Sequence, residues 1–289
     1  MSNKICLITG ATSGIGKATA LQLAKKNFDL ILIGRNEQKC KAVTEKIQRL
    51  NKQIKVKYYV TDISLLKEVK KTCEEIRKDF NRLDVLINNA GARFLNHQLT
   101  KEGIELTLAT NHLGHFLLTN ELIPLLKNSD DARIINISSA AHGGGKGLIE
   151  NITDASKYDG RLQYSNSKLA NVLFTYALSE RLHSDNISVF AVDPGGVATN
   201  FARNNGLKFW VKHLAYYILK RELITAREAS ETIVYLASSP DVRGQSGKYY
   251  FDLKEKKSSE LSYDKSLQTK LWEMSEELIN QKIKDAVNK

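Results

Sequence analysis

Six short runs in this chain are apolar almost throughout and rich in Ile, Val and Leu: KICLIT (4–9), DLILIG (29–34), IKVKYYV (54–60), LDVLIN (83–88), ARIINIS (132–138) and ISVFAVD (187–193). Runs of this length, bounded by polar turns, predict strands. Between them, stretches such as ATALQLAKKN and ELTLATNHLGHFLLTNELIPLLK space their apolar residues three and four apart, which predicts helices. Strand and helix alternating at this spacing predict an α/β fold, a doubly wound parallel sheet with helices on both faces. Ligands of such sheets bind beyond the carboxyl ends of the strands, so chemistry is expected just after each run.

Length and composition narrow this picture. At 289 residues, with three prolines, no internal repeat and no low-complexity tract, the sequence predicts a single domain over 1–289. A Lys/Ser/Glu-rich stretch near 254–260, followed by an amphipathic run from Leu267 to Ile279, predicts a C-terminal appendage (254–289) with its own helix. Cys6, Cys40 and Cys73 lack paired or metal-ligand spacing, as suits a reducing compartment. Neither a signal-peptide pattern nor a run of about 18 apolar residues occurs, so a soluble cytoplasmic protein is expected. The net charge of +11 is spread over solvent faces and predicts no nucleic-acid partner; a homo-oligomer is compatible with the sequence.

After the first run comes TGATSGIGK, with Gly10, Gly14 and Gly16 in a T-G-x3-G-x-G pattern. Glycines here permit a tight turn and close approach of backbone to a pyrophosphate at a helix N-terminus, although a ligand-free glycine turn has the same letters. Further along, Asn88, Asn89 and Gly91 follow the fourth run, Ser138 and Ser139 end the fifth, and DPGGVAT follows the sixth. These four strand ends thus carry small or polar residues suited to a crevice.

TGATSGIG, NNAG, NHLGHFLLTN, INISS, YSNSKLANVLFTYAL and DPGGVATN together resemble the short-chain dehydrogenase/reductase family, a Rossmann-type fold. NHLGHFLLTN, SKLANVLFT and SGKYYFD resemble its retinol dehydrogenase-like branch, and the likeness spans about residues 4–253. The resemblance implies that Tyr164 is the proton donor/acceptor, that Lys168 assists it, and that Asn111 supports a bound water near the lysine. Ser139 matches the residue that orients the substrate oxygen, with Ser138 as the fallback, because the 25-residue step to Tyr164 exceeds the commonest family spacing. Cofactor contacts are implied at Gly10, Thr12, Ser13, Gly14, Ile15 and Gly16, and at Arg35, Asp62 and Ile63. Others are implied at Asn89, Ala90 and Gly91, at Tyr164 and Lys168, and at Pro194, Gly195, Val197 and Thr199.

The tyrosine-lysine spacing of YSNSK recurs at Tyr216/Lys220 and Tyr250/Lys254, so spacing alone does not select the pair. Tyr216 lies in FWVKHLAYYILKR, which reads as a helix face, and Tyr250 runs off a strand end, where i and i+4 are not neighbours. Only Tyr164/Lys168 follows a serine-bearing strand end, the alternative being an exposed aromatic–cation pair. A phenol of pKa about 10 shuttles protons poorly at neutral pH, and a lysine one helical turn away lowers it by charge attraction.

His112, His115 and His142 lack a plausible third ligand and read as packing and loop residues, so no metal is expected. Asp62 matches an adenine-contacting position and could also cap the next helix. The segment from Thr199 to about Ile224, with Phe201, Phe209, Trp210, Leu214, Tyr217 and Ile218, corresponds to the family's substrate lid; its content implies an apolar carbonyl or alcohol, with ordinary helix packing as rival. Lys208, Lys212, Lys220 and Arg221 interleave there with aromatic residues, so a weak peripheral membrane contact is a further expectation, tested with anionic liposomes at low salt. Two other function classes stay open: a non-catalytic cofactor-sensing relative, separated by a turnover assay, and a membrane or interaction protein.

The cofactor reading turns on the end of the second run. Enzymes using NAD commonly place a carboxylate there for the ribose 2′-OH, whereas a basic residue accommodates the 2′-phosphate of NADP. This chain has Gly34 and then Arg35, with no acidic residue before Glu37, and the branch it resembles carries arginine there. NADP(H) is therefore expected over NAD(H), a solvated surface arginine being the alternative.

Overall fold

The structure, a computed structural model, describes residues 3–197, 205–206, 211 and 223–284. Thr199, the Tyr216/Lys220 pair and the aromatic core of the expected lid lie outside the described residues. All six apolar runs form strands: β1 (Ile5–Thr9), β2 (Asp29–Gly34), β3 (Val56–Val60), β4 (Val85–Asn88), β5 (Ala132–Ile137) and β6 (Ile187–Asp193). Gly196–Val197 and Leu223–Ile224 pair as the short strands β7 and β8, and Lys248–Phe251 and Lys254–Lys256 form β9 and β10. The main sheet runs β10-β9-β6-β5-β4-β1-β2-β3. Every pairing in it is parallel except β9 with β10.

The side-chain period of two divides the strands between two layers. Leu7, Ile31, Leu86, Ile134 and Val189 enter one core with helices α3 (Leu66–Asp79), α5 (Gly114–Leu126), α6 (Gly160–Arg181) and α8 (Lys265–Lys284). Ile8, Leu30, Leu32, Ile87, Ile135 and Phe190 enter the other with α1 (Gly14–Lys25), α2 (Glu37–Leu50) and α7 (Ala226–Ser238). Burial on both faces explains why the inner runs are largely apolar and do not alternate, while the edge strand β3, IKVKYYV, does alternate and exposes Lys57 and Val60. After β3 the chain returns to place β4 on the other side of β1, and this reversal opens the crevice at the carboxyl ends.

Two features depart from the sequence reading. The long helix expected over ELTLATNHLGHFLLTNELIPLLK is broken into a short α4 (Leu106–Leu108), a π turn (Ala109–Leu113) and α5. A π turn carries one extra residue per turn without changing the apolar spacing much, so periodicity did not reveal it. In addition, α3 is not capped by Asp62: its N-cap is Leu65, and Glu102 accepts the amides of Leu66 (2.8 Å) and Lys67 (3.1 Å). Asp62 binds Ser64 instead, through its amide (3.0 Å) and hydroxyl (2.7 Å).

The C-terminal appendage contains the expected helix, α8. Trp272 lies 4.8 Å from Phe116 and 5.9 Å from Phe174, ring to ring, and the Arg181 guanidinium sits 4.0 Å over its indole. The appendage therefore completes the core on one side of the sheet. Among the described residues no helix is long and apolar enough to cross a membrane.

Candidate active site

β1 delivers Thr9 to the crevice, and Gly10 turns the chain with φ +66°. Helix α1 begins after Ser13 with no side-chain cap and no acidic residue in its first turn, which leaves the end attractive to an anion. Close packing holds this turn in place: a Cβ on Gly16 would lie 2.5 Å from both the Gly10 carbonyl oxygen and Asn89 Nδ2. Asn89 in turn donates through Nδ2 to the Thr9 carbonyl (2.7 Å), while Thr9 Oγ1 accepts the amides of Asn89 and Ala90, each at 2.9 Å. Having accepted both, the Thr9 hydroxyl donates its proton to His115 Nε2 at 2.9 Å. That leaves a neutral imidazole, and burial pushes its pKa down to about 4.

The π turn places Asn111, fully buried, behind the wall of the crevice. Its Oδ1 accepts the Ala92 amide (2.9 Å), and its Nδ2 donates to the Ala92 carbonyl (2.9 Å) and to Ser167 Oγ (2.9 Å). No hydrogen bond joins Asn111 to Lys168 among the described residues. The two approach Gly91 from either side, where a Cβ would be 3.3 Å from Asn111 Oδ1 and 3.5 Å from Lys168 Nζ.

Helix α6 starts at Gly160, capped by Asp159, which accepts the amides of Arg161 (2.8 Å) and Leu162 (3.2 Å). Tyr164 follows in its first turns, buried, with Lys168 Nζ 5.7 Å from its ring centroid. The ammonium donates to the Ile137 carbonyl at 3.1 Å. Burial lowers its pKa to about 8, partly opposed by the charge of Asp193. The two serines of β5 diverge. Ser138 is buried and donates to the Lys168 carbonyl (2.7 Å), whereas Ser139 is half-buried at the crevice and caps the 3-10 turn Ala140–Gly144 by accepting the Ala141 amide (3.2 Å).

One continuous cavity of about 1180 Å³ joins these groups. Its lining takes in every residue expected to touch cofactor except Thr199, which lies outside the described residues. Of the four expected catalytic positions, Ser139, Tyr164 and Lys168 line it and Asn111 stands behind Gly91 and Ala92. The rival pair Tyr250/Lys254 is split across the β9–β10 turn, with Tyr250 opposite Glu255 and Lys254 opposite Phe251.

A sequence model of the short chain dehydrogenase family matches residues 4–208. The chain belongs to that family. The dehydrogenase is 36% identical over 291 residues to retinol dehydrogenase 14 of Mus musculus, covering 96% of this chain and 86% of that one. It is 35% identical over 283 residues to polyprenol dehydrogenase of Homo sapiens, covering 96% and 85% respectively. A solved crystal structure from Mycobacterium Paratuberculosis superposes with a TM-score of 0.75 at 29% identity, over 96% of this chain and 94% of that one. The protein is thus a retinol dehydrogenase-like oxidoreductase acting on alcohol or carbonyl groups.

Some lining residues of the dehydrogenase were not read from the sequence. Asn36 and Lys39 flank Arg35 at the head of α2, where a basic residue four positions after Arg35 was the available signal. Arg93, just past NNAG, brings its guanidinium 5.4 Å from the Tyr164 ring centroid. Ile224, Phe251 and Asp252 reach the crevice only through tertiary closure by β8 and β9, and no local pattern marks them.

Proposed function

We propose that the dehydrogenase interconverts an apolar aldehyde or ketone and its alcohol with NADP(H), Tyr164 serving as proton donor and acceptor. The observation that carries this reading is the meeting of Tyr164, buried Lys168 and Ser139 in the cavity that also holds the uncapped N-terminus of α1. The glycine cradle at Gly10 and Gly16, with no acidic residue in the first turn of α1, fits the pyrophosphate of a dinucleotide. Arg35 and Lys39 would hold a 2′-phosphate. The Arg35 side chain is 73% exposed and meets Asp62 only at 3.8 Å, a surface pair too weak to keep it from a phosphate.

Bound NADPH supplies the hydride for reduction. Tyr164 gives its proton to the substrate oxygen, and Ser139 donates a hydrogen bond to that oxygen as charge develops. Lys168 in its protonated form stabilises the phenolate left behind. Asn111 fixes the Gly91–Ala92 wall against α6, and support of a bound water near Lys168 remains its proposed second role.

The apolar substrate class is supported by the aromatic content of segment 199–224 and by the names of the relatives above, which refer to retinol and polyprenol, both isoprenoid alcohols. Steady-state NADPH oxidation with retinal, decanal and glyceraldehyde tests the whole reading. Decanal or retinal should exceed glyceraldehyde in kcat/KM; equal efficiency for glyceraldehyde refutes the apolar pocket, and no turnover of any carbonyl refutes the catalytic assignment.

A further inference from the structure

Between Ser139 and Tyr164 lie 24 residues, including Gly143, Gly144, Gly145 and Gly147. At Gly143 and Gly147 a Cβ would meet nothing within 4 Å, whereas at Gly145 it would lie 3.0 Å from Leu169 of α6, so the connection is open at some points and packed on α6 at others. The Ser139 turn is also tied down from elsewhere. His142, buried, lies with Nδ1 2.8 Å from the Ser139 carbonyl and Nε2 2.9 Å from the Ser259 amide nitrogen. The amide can only donate, so Nε2 accepts and the ring proton sits on Nδ1, donated to Ser139.

The other end of this link is equally fixed. Ser258 Oγ lies 2.6 Å from both the Tyr176 hydroxyl and Ser262 Oγ, and the Ser258 amide donates to the Tyr263 hydroxyl at 3.2 Å. Tyr263 stacks on Tyr176 with centroids 5.3 Å apart and planes 19° from parallel. Tyr176 stands on α6, the helix that carries Tyr164 and Lys168. The His142 ring also leans on Tyr249 at 4.8 Å. A closed circuit therefore runs from α6 through Tyr176, Ser258, Ser259 and His142 back to Ser139.

We propose that His142 is a positioning residue that clamps the Ser139 turn to the C-terminal segment 258–263, so that this segment sets the serine's place relative to Tyr164. The proposal rests on the reading of Ser139 given above. It assigns a role to residues beyond the 4–208 that the family model matches.

A double-mutant cycle decides it, read as kcat for the fastest carbonyl of the panel together with the NADPH dissociation constant. His142→Leu should lower kcat about tenfold while NADPH binding stays within about twofold, and His142→Gln, which keeps a donor and an acceptor, should recover most of that loss. In a Ser139→Ala background the same His142→Leu change should cost less than about twofold, because its effect passes through the serine. Ser259→Pro supplies an independent variant. Ser259 has φ −64°, which proline adopts; the change removes the amide that His142 accepts and puts the ring Cδ in the place of its hydrogen, so the imidazole is displaced and the link is broken. It should reproduce the kcat loss in the same cycle, even where His142→Leu fails to fold. Unchanged kcat in both variants, or a loss that persists undiminished in the Ser139→Ala background, overturns the clamp alone. Full activity of Ser139→Ala overturns the serine assignment and the clamp with it.

Discussion

Around the ends of β1 and β2 the crevice wall is glycine backbone and exposed side chains, with Ser13, Arg35, Asn36 and Lys39 all open to solvent. Around β4, β5 and α6 the polar groups are buried and largely bonded to one another: Asn111 to Ala92 and Ser167, Lys168 to Ile137, Ser138 to Lys168. The first half offers shape and a favourable potential to a ligand that brings its own charge. The second holds a few side chains in fixed positions, as the proposed proton transfer demands, since hydrogen-bond reach must be met to within a fraction of an ångström. Binding and chemistry should therefore be separable by mutation, half by half.

The largest test is Tyr164→Phe, which removes one hydroxyl from the reactive half. It should lower kcat about a hundredfold or more, with melting temperature and NADPH affinity near those of the parent; a loss of affinity in place of kcat would erase the contrast.

Next comes Lys168, whose burial should cost stability. Its pKa of about 8 lies below the ordinary 10.5. Below pH 8 both folded and unfolded chains hold the proton and the full burial penalty applies. Between pH 8 and 10.5 the folded protein gives up its proton first, so stability rises with pH. Lys168→Met should accordingly stabilise the cofactor-free protein by about 3 kcal/mol at pH 7, while abolishing most turnover, and the gain should vanish as pH approaches 10.5. Denaturant unfolding at pH 7, 9 and 10.5 measures it; a gain that does not depend on pH would mean simple repacking.

Arg35→Asp probes the other half and should have the smallest effect of the three. Charge-assisted hydrogen bonds to phosphate are worth about 1.5–3 kcal/mol each, so the parent should prefer NADPH to NADH by roughly tenfold or more. The variant should reverse that preference with little change in kcat at saturating cofactor. Equal kcat/KM for the two cofactors in the parent protein refutes the assignment and leaves Tyr164 untouched.

The same contrast explains what could be read in the chain before folding. The shape-bearing half is local: TGATSGIG, DLILIGR and NNAG each carry their strand, turn and glycine within a dozen residues, and β1, β2 and β4 formed where those runs lie. In the reactive half, the residue types were legible and their supports were not. Glu102 caps α3 from 36 residues away and Ser259 reaches His142 across 117. The π turn that presents Asn111 leaves no trace in apolar spacing, and what sets Ser138 apart from Ser139 is its bond to the Lys168 carbonyl, which only α6 packing brings near. Pairings across the fold of this kind have no one-dimensional signature.

Gly34 bears on the mutational paths open to descendants of this chain. A Cβ there would come within 2.6 Å of Thr12 Cγ2 and 2.9 Å of Cys40 Sγ. A lineage drifting toward a carboxylate at the end of β2 would first have to shrink a neighbour on the glycine turn or on α2, and each such step on its own loosens packing without yet gaining a new ligand contact. Substitution at Arg35 meets no such wall, because its side chain stands in solvent. Selection acting one residue at a time would thus find cofactor changes at position 35 well before position 34, an asymmetry that saturation libraries at the two sites would show as many tolerated residues at one and almost none at the other.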